Sequence, residues 1–112
     1  MAADSGKVIY WHRELPPLEG EPVGEHVVEA VSVRVKSDLT HRDELWDRCY
    51  DDLIARVQER IHQEVARLGG DYAHVLEESI NTRRDNRSGE AWLHGLFTYM
   101  LLRKPRGGSG AA

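Results

Sequence analysis

The stretch Asp43 to Gly70, DELWDRCYDDLIARVQERIHQEVARLGG, decides how the chain is read. Trp46, Cys49, Tyr50, Leu53, Ile54, Val57, Ile61, Val65 and Leu68 recur at three- and four-residue intervals. That spacing gathers apolar side chains on one face of a helix. No proline or glycine interrupts them. Thr40 stands as an N-cap with Asp43 at the capping-box distance, and Asp43 and Glu44 suit the positive end of the helix dipole. Arg67 falls in the last turn and Gly69 where a left-handed stop belongs. The pattern predicts one long amphipathic helix, which the apolar segments elsewhere need for cover.

A chain of 112 residues builds a single core. Hydrophobic residues at 40% and charged residues at 30% are ordinary for a globular protein. The net charge of −4 argues against a uniformly basic nucleic-acid binder, so nucleic acid is not an expected partner. The single cysteine, Cys49, excludes an intrachain disulfide and a Cys-rich zinc site. The start, MAADSGK, has no apolar signal core, and no stretch nears the ~20 apolar residues of a membrane span. The expectation is a soluble, cytoplasmic protein with no membrane partner.

Along the chain, residues 1–17 read as an N-terminal arm, within which Val8-Ile9-Tyr10-Trp11 is either an extra edge strand or a hydrophobic arm, packing on the chain's own core or, alternatively, docking on a neighbouring subunit. Glu14 to Glu25, ELPPLEGEPVGE, is acidic and rich in proline and glycine, and reads as a surface connection. Val27 to Lys36 reads as a strand with Val31, Val33 and Val35 inward and Ser32, Arg34 and Lys36 outward. After the helix, Tyr72 to Arg84 is a second strand, Asp85 to Gly89 a turn, and Glu90 to Arg103 the returning strand. Residues 18–104 then form one domain, and 105–112 a flexible tail.

The fold class is therefore α+β: a β-α-β-β order with one long helix packed on a mainly antiparallel sheet. The last strand is apolar on both faces, with Trp92, Leu96, Met100 and Leu102 on one and Leu93, Phe97, Tyr99 and Leu101 on the other. Such a strand is central, and one helix covers only one of its faces. We expect self-association to bury the second face, with Leu93, Phe97, Tyr99 and Leu101, and the Tyr10-Trp11 pair, as the interface residues.

Leu18-Glu19-Gly20 ahead of a valine-rich strand, the helix end Ala66-Arg67-Leu68-Gly69-Gly70-Asp71-Tyr72-Ala73 and a closing hairpin near Gly95 resemble the YbjQ-like family over about residues 18–102. The resemblance implies a small β-α-β-β protein that forms ring-like homo-oligomers and carries a heavy-metal-binding label. The chain departs from that family in lacking a glycine-rich approach to the helix and in the polar Glu77, Glu78 and Asn81. No residue-level metal motif carries over.

Chemistry is sparse. The six histidines include no HExxH and no close pair. Glu59 and His62 form a Glu-x-x-His unit, which completes a divalent-metal site only when repeated and joined by further carboxylates, as an oligomer would allow. Asp43, Asp47 and Asp51 make a solvated helix stripe. Cys49 lies on the apolar stripe and reads as a small buried hydrophobe. Arg83, Arg84, Arg87, Arg103, Lys104 and Arg106 are basic but lack interleaved stacking aromatics. Trp46, Tyr50, Trp92, Phe97 and Tyr99 read as core rather than as a flat-ligand pocket. No catalytic or cofactor-binding residue stands out. The expectation is a homo-oligomeric binding or structural module. The alternative is a metal- or small-ligand-binding protein or enzyme whose site forms between subunits, with His62, His94 or the aromatics contributing.

Overall fold

The computed structural model describes residues 8–36 and 42–105, so the proposed Thr40 cap and the tail from Arg106 onward lie outside the described residues. The helix α1 spans Arg42–Arg67. Its buried row is Leu45, Cys49, Leu53, Val57, Ile61 and Val65, a strict four-residue spacing. Such a row winds slowly around a helix, and a twisted sheet beneath follows that winding, so contact persists along the helix. Trp46, Tyr50, Ile54 and Leu68 flank it, half-buried. The helix stops in a Schellman turn. Gly70 N–H donates to the Val65 carbonyl and Gly69 N–H to that of Ala66, with Gly69 at φ 75°. Gly70 is needed for a second reason: a Cβ there would collide with the Leu101 side chain.

The chain then forms a hairpin, β4 (Tyr72–Asp85) and β5 (Glu90–Arg103), paired from Tyr72↔Leu102 to Asp85↔Glu90 with a bulge at Leu76. Asp85 closes its turn, accepting from Arg87 N–H at its side chain and from Gly89 N–H at its carbonyl. On the other side of β5 lies β2 (Glu21–Val31), antiparallel, and β3 (Val35–Lys36) also pairs with β5. A short strand β1 (Ile9–Trp11) runs parallel to β4. The order is β1-β4-β5-β2, so the last strand is central in a mainly antiparallel sheet and the protein is α+β.

Two parts of the sequence reading require correction. The strand before the helix begins at Glu21, inside the expected surface connection, because β2 is an edge strand and an edge tolerates Pro22. Its phase is also opposite. Ser32 is buried, whereas Val31 and Val33 are exposed by 42% and 43%. The hydroxyl explains the inversion: Ser32 Oγ accepts from buried Leu93 N–H at 2.9 Å and donates to the Val33 carbonyl. A polar residue thus sits inward where the ladder breaks, and the helix-facing residues of β2 are Val28 and Ala30.

The second correction concerns β5. Leu93, Phe97, Tyr99 and Leu101, expected on the uncovered face, are at most 1% exposed and pack in the core with the helix row. The physical reason is Gly95, whose absent side chain leaves room for Leu53 of α1. A Cβ there would stand 2.6 Å from Phe97 Cε1 and 3.3 Å from Leu53 Cδ2. The helix sits over the odd-numbered residues because Gly95 is one of them. Tyr10 and Trp11 pack on the chain itself, as the first of the two readings of that arm has it, and not at an interface: Tyr10 is buried edge-on to Tyr72, and Trp11 is edge-on to Phe97.

Candidate functional site

With the odd residues of β5 under the helix, the opposite face belongs to Trp92, His94, Leu96, Thr98 and Met100. The register places Val31, Glu29, Val27 and Glu25 of β2 beside His94, Leu96, Thr98 and Met100. On the other flank it places Arg83, Asn81, Ser79 and Glu77 of β4 beside Trp92, His94, Leu96 and Thr98. Val27, Val31 and Leu96 are 59%, 42% and 41% exposed. Leu76, squeezed out by the bulge, joins Val27, Leu96 and Thr98 in a shallow cleft of about 550 Å³. No second helix exists among the described residues to cover this face.

Polar groups punctuate the apolar band. His94 Nε2 lies 2.5 Å from Glu29 Oε2, and His94 Nδ1 is buried without a hydrogen-bond partner among the described residues. The bond from His94, with its positive field, holds the Glu29 carboxyl below its ordinary value of 4.5, aided by Arg60 and Arg83. At the hairpin end, the Arg34 guanidinium lies 3.9 Å from the centre of the Trp92 ring and 3.7 Å from Glu90. The sequence reading missed this pairing, since 58 positions separate the two residues; only β3 folding back on β5 brings them together.

The other candidates are dispersed. Glu59 and His62 are exposed on α1, where Glu59 accepts from Gln63. Among the described residues, no three His, Cys, Asp or Glu side chains converge as a metal site would require. Cys49 is fully buried, its thiol 3.5 Å from the Val33 carbonyl. The aromatics do not share a pocket. Phe97 and Tyr99 are in the core, Trp92 is on the open face, and Trp46 stacks on Tyr50 at 5.5 Å. Burial first, and then the bond to Glu64, raise the Tyr99 hydroxyl above its ordinary value, so it stays a neutral donor to Glu64. A separate cleft of about 560 Å³ lies beside Trp11, His12, Tyr50, Ile54 and Glu78. His12 turns the chain out of β1 there at φ 52°, and its carbonyl accepts from His74.

Comparison with family models, curated proteins and solved structures found no match. No described helix is long and apolar enough to cross a membrane.

Proposed function

We propose that the protein is a small homo-oligomeric binding and structural module of the YbjQ-like type, assembled through the open face of its sheet. The observation that carries this reading is the exposed band of Val27, Val31 and Leu96 on the face opposite the helix. Exposed apolar side chains gathered on an uncovered sheet face mark an interaction site. The interface residues are those of the even-numbered register, replacing the odd-numbered set first expected.

Leu96→Glu tests it. The side chain is already exposed in one copy, so folding stability should change by no more than about 0.5 kcal/mol, while association is lost. Circular dichroism with light scattering reads both. Unchanged association with intact folding would count against the face.

A second reading has one observation in its favour. The unpartnered Nδ1 of His94, on a ring whose Nε2 meets Glu29, is a metal-compatible nitrogen, but it is buried, so a metal reaches it only if the ring turns outward. Calorimetric titration with zinc should show binding that His94→Gln removes if this site exists, and no heat if the face is purely a packing surface.

A further inference from the structure

The two ends of the open face differ in charge: at the hairpin end Arg34, Arg83 and Lys36 outnumber Glu90 and Asp85, and at the other end stand Glu25 and Glu77. At the level of Trp92 stand Arg34, stacked on the ring, and Arg83, its β4 neighbour, with Lys36 beside Glu90 beyond them. Six to eight residues along β5 stand Glu77 beside Thr98 and Glu25 beside Met100. Leu96 lies midway. Val27 and Val31 are placed symmetrically about it on β2, two residues to either side.

We propose that two copies pack these faces together about a two-fold axis that runs across the strands at the level of Leu96. The proposal rests on the reading that the open face is where copies associate, and it specifies their arrangement; such a pair closes at two copies and departs from the ring that the family resemblance implies. That rotation reverses strand direction while keeping β2 over β2 and β4 over β4. Leu96 then stacks on Leu96 of the second copy, and Val27 on its Val31. The basic end of each copy lies over the acidic end of the other, with Arg34 above Glu25 and Arg83 above Glu77, within the sweep of long side chains.

The alternative face-to-face two-fold, along the strands, sets Arg34 and Arg83 of both copies at one end and Glu25 and Glu77 at the other. Like charges so juxtaposed are disfavoured, and the apolar match of Val27 with Val31 is lost. Glu29 is level with Leu96 and meets its own copy across the axis, a like-charge contact that this arrangement keeps at its centre and that the bond of each Glu29 to its own His94 offsets in part. A single-stranded nucleic acid would find Arg and Trp together here as well, but Glu25, Glu29 and Glu77 on the same face repel phosphate. The second copy satisfies both signs at once.

The patch also fixes the scale of the experiment. Three strands about 4.8 Å apart, over eight residues rising about 3.3 Å each, give roughly 14 by 26 Å per copy. That is about 370 Å² per copy, less than half the area of a standard interface, so the pair is a weak, transient one and concentrations up to about 200 µM are needed.

The test uses two full-length variants, Arg34→Glu/Arg83→Glu and Glu25→Arg/Glu77→Arg, with circular dichroism as a folding control. Each alone makes the contact between ends repulsive and should associate at least about tenfold more weakly than the parent. Mixed in equal amounts they restore every pair, and sedimentation should return to that of the parent. Variants that associate as well as the parent, or a mixture that stays monomeric, overturn the arrangement while leaving association through the face intact. A monomeric parent instead removes the reading on which it rests. Anisotropy with a mixed-sequence single-stranded RNA is the remaining arm. Saturable binding lost in Arg34→Glu/Arg83→Glu would assign the basic end to nucleic acid and overturn the pairing.

Discussion

Three single residues bear more of this fold than their size suggests. Gly95 sets how near α1 comes to the sheet, and the space for a Cβ is taken by Phe97 and Leu53, both fully buried. Gly95→Val should destabilise the protein by about 1–3 kcal/mol, the usual range for an overpacked core, in a denaturant titration. Ser32 supplies the acceptor for a buried backbone donor at Leu93. Ser32→Ala leaves that N–H without its partner and should cost about 1–3 kcal/mol in the same measurement, although alanine suits a buried site better. Glu29 brings a pH dependence. Its carboxyl titrates below the ordinary 4.5 when folded, so its contribution is present above that value and is lost as pH falls through the lower folded one. The carboxylate is largely exposed, so the effect is small and screened by salt. Glu29→Gln should therefore lose somewhat less melting temperature than the parent between about pH 6 and pH 3; an identical loss would show that His94 does not hold this carboxylate.

At the scale of elements, the helix was legible in the sequence because its signals agree. An unbroken apolar period, a basic last turn and a glycine stop all point to one segment, and α1 ends in the expected Schellman turn. Gly69→Ala, at φ 75°, should cost about 1 kcal/mol and is checked by thermal melting. The hairpin was legible as well, since Asp85 to Gly89 has clear turn chemistry. The facing of the strands was not. Alternation shows that β2 has two faces, but not which one meets the helix, and the valines at 31 and 33 pointed to the wrong one. Deciding between them needs Ser32 recognised as a ladder acceptor and Gly95 as the seat of Leu53. Both are contacts across strands or layers, invisible to local pattern. The same inversion carried over to β5, so Leu93, Phe97, Tyr99 and Leu101 were expected on the open face and lie instead under the helix.

For the whole molecule, one helix and one sheet leave one sheet face open, and the proposed pairing of two copies covers it. In that pair the apolar centre would contribute affinity and the charged ends would select orientation, so added salt should weaken association without melting the fold. The heavy-metal label implied by the family resemblance is a separate question, settled by the His94 titration rather than by assembly. Self-association is read by sedimentation equilibrium of the unaltered protein from about 5 to 200 µM. The average mass should climb from the 12.8 kDa of one chain toward twice that value. A mass that stays at 12.8 kDa across the whole range would contradict it.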